Sequence, residues 1–193
     1  MNNPTPSPSQ TAAIIVAAGA GLRAGQSMPK QFACWRGKAL VRHSAEAFAI
    51  AGIFPIVVAI PEGTEAIALA ALEGIPGIRL ITGGTTRQQS VCNALAALED
   101  DAPLHVLIHD AARPRLPGAV IERLIDALTV HAGAIPVLPV VDSLAEASGK
   151  LMGDPADRGA LRRIQTPQAF SFAAILAAHR SWSGSATAGD DDR

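Results

Sequence analysis

Aromatic residues make up only 4% of this chain, while alanine is abundant. A core assembled from large rings is thereby excluded, and close packing of small helical faces takes its place. That packing accounts for the positive mean hydropathy without invoking lipid. Cysteine is scarce as well. Cys34 and Cys92 are too far apart for a C-x-x-C redox pair or a zinc knuckle, and read as inert reduced thiols. Charge of one sign is also lacking: 16 Lys and Arg face 17 Asp and Glu. No global field marks a nucleic-acid or membrane partner, so any basic site has to be local. Long apolar runs are missing, the best being 12–18 and 53–60, far short of the roughly 20 residues of a membrane span. Residues 1–10 are rich in Pro, Ser and Asn, with neither a basic nor an apolar leader region. They are expected to form a flexible tail on a soluble, cytoplasmic protein.

What is present is a rhythm. At 193 residues the chain can bury a full core unaided, and one domain over 11–193 is the default. Short apolar, β-branched runs alternate with segments of helical periodicity. Strands are expected at 12–17, 53–60, 78–81, 105–109 and 133–141, and helices at 39–51, 62–72, 87–98, 117–131 and 172–179. Pro117 suits a first helical turn. The run 142–161 is polar and broken by Gly149, Gly153 and Pro155, and reads as an excursion from the sheet. Near-continuous apolar strands between helices predict an α/β, Rossmann-like fold: a mostly parallel sheet covered on both faces. Ligands of such folds sit beyond the carboxyl ends of the strands.

The loops at those ends carry the chemistry. The first reads Ala17-Ala18-Gly19-Ala20-Gly21-Leu22-Arg23-Ala24-Gly25, then Met28-Pro29-Lys30-Gln31. Its glycines let backbone N–H groups converge on an anion, while Arg23 and Lys30 add positive charge, which suits a nucleoside triphosphate. Gly25 is followed by Gln26 and Ser27 where a Walker A loop needs Lys and Ser or Thr. Gly19, Gly21 and Ala24 meet the looser dinucleotide pattern, but Glu62 lies about twice too far along for a ribose-binding acid. A Gly-rich turn without ligand is the plain alternative. The second loop, His109-Asp110-Ala111-Ala112-Arg113-Pro114, follows the strand Val106-Leu107-Ile108. Asp110 is the candidate for Mg²⁺, an ion that takes one or two protein carboxylates plus substrate phosphates. The plain alternatives are a cap or turn residue for Asp110 and a surface cation for Arg113, while His109 reads as a packing residue and is given no role. In the third loop, Gly83-Gly84-Thr85-Thr86-Arg87-Gln88-Gln89-Ser90-Val91, Ser90 lies one helical turn in and could meet a base or sugar. Ser143, Asp157-Arg158 and Thr166-Pro167-Gln168 taken singly are ordinary turn chemistry.

Taken in order, A-A-G-x-G-x-R, P-K-Q, G-G-x-x-R-x-x-S-V, H-D-A-A-R-P, D-R and T-P-Q resemble the 2-C-methyl-D-erythritol 4-phosphate cytidylyltransferases over residues 12–170. The resemblance implies that Ala17, Ala18, Gly19 and Gly21 hold the nucleotide, with Gly84, Thr85 and Ser90 near the cytosine and Ala111 lining the pocket. It implies that Arg23 and Lys30 are the catalytic cations, that Asp110 meets Mg²⁺ and that Arg113 supports that loop. Ser143 and Arg158 match positions gripping the phosphorylated polyol, on an arm of about 141–161 that reaches into a second subunit, which implies a homodimer. CTP is the implied donor, pyrophosphate the leaving group. The family's domain continues past 172–179 into an acidic Thr-Asp segment, a further strand and a late lysine, so an incomplete domain is expected. Thr85 and Ala145 stand where the family often has an acid and a base, and Ser143 replaces a threonine. Two rivals remain: a nucleotidyltransferase for another acceptor, such as ribitol phosphate or a sugar phosphate, and an inactive nucleotide-binding module.

Overall fold

The computed structural model describes residues 10–19 and 28–181. The first strand, β1 (Thr11–Val16), is buried on both faces, as a central parallel strand requires. A single 3-10 turn at Lys30–Phe32 and a small hairpin, β2 (Cys34–Trp35) with β3 (Lys38–Ala39), lead into helix α1 (Leu40–Ile50). Then follow β4 (Ile56–Ile60), α2 (Glu65–Leu72), β5 (Ile78–Thr82), α3 (Arg87–Ala96), β6 (His105–Asp110) and α4 (Gly118–Ala127).

The helices expected from periodicity are all present; the first four are shorter at one or both ends for local reasons, and the last runs two residues further, to Ser181. Gly63 adopts a positive φ of 75° and the Thr64 hydroxyl donates to the Pro61 carbonyl at 2.7 Å, so a turn occupies 61–64 and α2 begins after it. Pro117 keeps an extended ψ of 136° and stands just outside α4 as its N-cap, not in the first turn. The second strand starts at Ile56, not 53, because Pro55 has no N–H for the ladder. Its carbonyl still accepts from Ala13 N–H at 2.9 Å.

The last third departs most from expectation. The anticipated strand 133–141 divides into β7 (Gly133–Ala134) and β8 (Val137–Pro139), separated by Pro136. Next come β9 (Ala145–Ser148) and β10 (Leu151–Pro155), paired antiparallel around Gly149, whose φ is 61°. β11 (Arg162–Ile164) returns antiparallel to β8, then β12 (Gln168–Ser171) and α5 (Phe172–Ser181) close the described chain. The excursion is thus wider than 142–161: it leaves the main sheet after Ala134 and rejoins it at Gln168. Thr166-Pro167-Gln168, read as a loop, delivers a strand.

Among the described residues the main sheet has six strands in the order β5-β4-β1-β6-β12-β7. β5, β4, β1 and β6 are parallel, and β12 runs antiparallel to both of its neighbours. Alternate residues feed two core layers. Ala13, Ile15, Val58 and Leu107 pack under α1, α2 and α4, whereas Ala12, Ile14, Val57 and Val106 pack under α3 and α5. Because the four parallel strands point the same way, the loops after β1, β5 and β6 open at one edge.

Candidate active site

Register brings the first and second loops together. Val16 is the ladder partner of Asp110, and Ala111 N–H donates to Val16 O at 3.0 Å. On the other side, Ala17 N–H donates to Ala59 O at 2.8 Å. The buried side chain of Gln31 donates from its amide to Ala17 O, which holds the exposed Lys30 beside the start of the first loop. Both backbone groups of Ala17 are therefore used internally. The N–H groups of Ala18 and Gly19 have no partner among the described residues, and a Cβ added at Gly19 meets open space. Gly21 and Arg23 lie outside the described residues.

The turn after β5 presses against this loop. A Cβ at Gly83 would come within 2.2 Å of Ala18 Cβ, so glycine is obligatory if the two turns are to touch. Gly84 N–H donates to Ser90 Oγ at 3.0 Å, and the Ser90 hydroxyl donates to Thr86 O at 2.9 Å. Ser90 is buried, so its hydroxyl braces the turn from beneath. Thr86 caps α3 by accepting from Gln89 N–H at 3.1 Å, and both the N–H and the hydroxyl of Thr85 donate to Gln89 Oε1 at 3.0 Å. The Gly84-Thr85 turn is thus pre-formed.

Asp110, at the end of β6, faces two guanidinium groups. Arg87 Nε donates to Oδ1 at 2.9 Å and Arg113 Nε lies 3.5 Å from Oδ2. Arg113 also donates from Nη1 to Gln165 Oε1 at 2.6 Å, tying the loop to the chain that returns from the excursion. Among the described residues no cluster of three His, Cys, Asp or Glu side chains forms a metal cage. A single carboxylate fits a divalent cation that arrives on substrate phosphates, provided that Arg87 yields its bond.

Below this loop His109 is buried. Its Nε2 lies 3.0 Å from Arg113 O, an acceptor only, so Nε2 carries the proton. Nδ1 then accepts from the Thr166 hydroxyl at 2.9 Å, and Thr166 Oγ1 accepts in turn from Asp110 N–H at 3.3 Å. Burial lowers the His109 pKa to about 4, outweighing the neighbouring Asp110 and the hydrogen bonds that favour the cation, so the ring is neutral.

Ala17, Ala18, Gly19, Lys30, Gly84, Thr85, Ser90, Asp110, Ala111 and Arg113 belong to the loops at this edge. Ser143 and Arg158 do not. Both are exposed on the excursion, where Arg158 Nη1 donates to Val141 O at 2.9 Å. Gly83, Gln31, Arg87, His109 and Thr166 stand in the motifs read from the sequence, but sequence reasoning drew no role for them and missed the contacts they make. Arg87 could have been found as the cation opening the helix opposite the Asp110 loop; the other contacts leave no local signal.

The family model for 2-C-methyl-D-erythritol 4-phosphate cytidylyltransferase matches residues 11–193. The chain is 60% identical over 192 residues to the bifunctional enzyme IspD/IspF of Novosphingobium aromaticivorans, covering 99% of this chain and 50% of that protein. It is 43% identical over 182 residues to the 2-C-methyl-D-erythritol 4-phosphate cytidylyltransferase of Cereibacter sphaeroides, covering 91% of this chain and 79% of that one. The crystal structure of 4-diphosphocytidyl-2C-methyl-D-erythritol synthase from Anaerococcus prevotii superposes with a TM-score of 0.81 at 27% identity, covering 99% of this chain and 82% of that one. The chain spans about half the length of the bifunctional relatives it matches.

Proposed function

Because the chain belongs to the 2-C-methyl-D-erythritol 4-phosphate cytidylyltransferase family, we propose that it transfers CMP from CTP to 2-C-methyl-D-erythritol 4-phosphate. A phosphate oxygen of the acceptor attacks the α-phosphorus of CTP. The new P–O bond forms as the bond to the β-phosphate breaks, and pyrophosphate departs with its electron pair. No protein nucleophile is needed. Negative charge has to be held in line and neutralised, and the chain's contribution is placement and electrostatics.

One observation carries this reading: the Asp110–Arg113 loop is pinned in register beside the first Gly-rich loop, with the Gly83–Gly84 turn against its other side. In this proposal the N–H groups of Ala18 and Gly19 receive the triphosphate together with Gly21. Lys30 and Arg23 neutralise the transferring phosphate, and the Gly84–Ser90 turn receives the base. Asp110 would hold Mg²⁺, which when bound neutralises phosphate charge. Arg113 keeps the Asp110 loop tied to Gln165.

Ser143 and Arg158 receive the acceptor phosphate from the arm of a second copy. Supporting this is the arm's exposed apolar surface, including Val137, Val141, Leu151, Met152 and Ile164, which a monomer leaves in water. No helix among the described residues is long and apolar enough to cross a membrane, and the proposed substrates are those of a cytoplasmic enzyme.

Titration calorimetry with CTP and Mg²⁺, followed by a pyrophosphate-release assay on the same sample, tests the reading. Methylerythritol phosphate should support turnover far better than ribitol phosphate or a sugar phosphate. Binding of CTP without turnover on any acceptor would reject the activity and leave a nucleotide-binding module.

A further inference from the structure

The buried face of the Asp110 loop carries a histidine for which the transfer reaction has no use. His109 is 1% exposed and meets the ring of Phe48 edge-on, with centroids 5.9 Å apart. It cannot touch a substrate. Its two nitrogens nevertheless join two chain segments 57 residues apart: Nε2–H holds the carbonyl of Arg113, and Nδ1 holds the hydroxyl of Thr166. Thr166 Oγ1 accepts from the N–H of Asp110, and the Arg113 guanidinium bonds Gln165. A closed set of hydrogen bonds thus links the backbone on both sides of Asp110 to Gln165 and Thr166, where the arm re-enters the sheet. β11 ends at Ile164, directly before them.

An apolar side chain at 109 would fill the same volume against Phe48. It would leave the Thr166 O–H without an acceptor and the Arg113 carbonyl without its donor, although Thr166 Oγ1 would keep the Asp110 N–H. A histidine that merely packs has no need of both nitrogens in this arrangement, with one donating to the loop and the other accepting from the arm root.

We propose that His109 is a positioning residue that fixes the root of the arm against the Asp110 loop, so that the acceptor residues the arm carries are held in place for the nucleotide site of the second copy they serve. The proposal rests on the functional reading above for its two sites, but the brace itself is a property of this chain alone. Loss of the brace loosens 164–168 and the arm while the parallel strands keep their packing. Acceptor binding suffers; nucleotide binding does not, because the start of the Asp110 loop stays pinned to β1 through the Val16–Asp110 ladder and the Ala111–Val16 bond.

The test is hydrogen exchange followed by mass spectrometry on the full chain, paired with calorimetry for CTP and acceptor kinetics. His109→Phe should speed exchange in 164–168 and in β8 to β11 while β1, β4 and β5 stay protected. It should raise the acceptor KM about 10-fold or more, the scale of a lost buried hydrogen-bond pair, with the CTP Kd within about threefold. His109→Asn, whose amide reaches the Nδ1 position, should recover part of both effects. Where His109→Phe does not fold, Thr166→Val against Thr166→Ser makes the same comparison, because only serine retains the hydroxyl. Unchanged exchange at 164–168, an even loss of protection across the sheet, or a CTP affinity that falls as far as acceptor affinity would each overturn the brace. If the wild-type chain turns over no acceptor, the functional reading fails separately and the exchange pattern still decides the brace.

Discussion

The parallel half of the sheet and the arm are made from the same alphabet and behave oppositely. β1 and β4 are buried on both faces apart from the partly buried Val16, and most of their apolar side chains join the two core layers formed with the helices of the same chain. β9 and β10 are exposed along most of their length, with Leu151 at 76% and Met152 at 85% exposure. The first region is finished by intramolecular packing; the second presents apolar surface that the other described residues leave uncovered. In the proposed function the triphosphate loops lie on the finished half and the acceptor residues on the unfinished half, so that one site can form without the other.

Acid tests this contrast most strongly. His109 is held neutral with a pKa of about 4 in the folded state against about 6.5 unfolded. The unfolded chain therefore takes up the proton first, and stability present above pH 6.5 is lost as pH falls toward 4. The loss reaches about 3 kcal/mol. His105 and His179 are also lowered, chiefly by burial, and add in the same direction. Urea titrations between pH 7 and pH 4 should show the midpoint falling across that window; a flat midpoint would mean that His109 is not buried neutral.

Next in size is Lys30→Ala. It should lower kcat about 10²-fold or more, the scale of one preorganised charge lost from a transition state. Pyrophosphate release under saturating CTP and acceptor measures it, and an unchanged kcat removes Lys30 from the chemistry. Gly83→Ala comes third. Its methyl collides with Ala18 and should weaken CTP binding about 10-fold by calorimetry, whereas Gly149→Ala in the arm should leave CTP affinity alone despite its own positive φ. Equal effects would erase the distinction between the two regions. The smallest effect belongs to Leu151→Ser with Met152→Ser, which should change unfolding stability by no more than about 0.5 kcal/mol. The same pair should shift sedimentation toward monomer, and failure to do so would detach the arm from self-association.

The two regions were also unequally legible. β1, β4 and β6 announce themselves because strands buried on both faces need continuous apolar runs, and α1 and α3 because one-sided burial imposes a period. The arm does not. Pro136 interrupts what composition presents as one strand, and β12 has four residues of mixed polarity whose placement is set by pairing Gln168 with Ile108 across the sheet. Such a strand is defined by its neighbour and has little local signature. At the site, the Gly-rich loop, Asp110 and Lys30 could be read from residue type and position. Arg87 could be noticed as a cation at a helix start, but the partners in the Arg87–Asp110 and His109–Thr166 bonds could not be read, since they lie 23 and 57 residues apart and spacing alone does not fix proximity.

The excursion begins at β7 and ends at β12, and those two strands are immediate neighbours in the sheet. Its entry and exit therefore stand side by side, as the feet of an inserted module do. Closing a longer insertion over the same gap costs only about 0.6 kcal/mol per doubling of length. The arm can accordingly be shortened, lengthened or exchanged for another while the parallel strands keep their register, and in the proposed function this makes acceptor choice a separable part of the molecule.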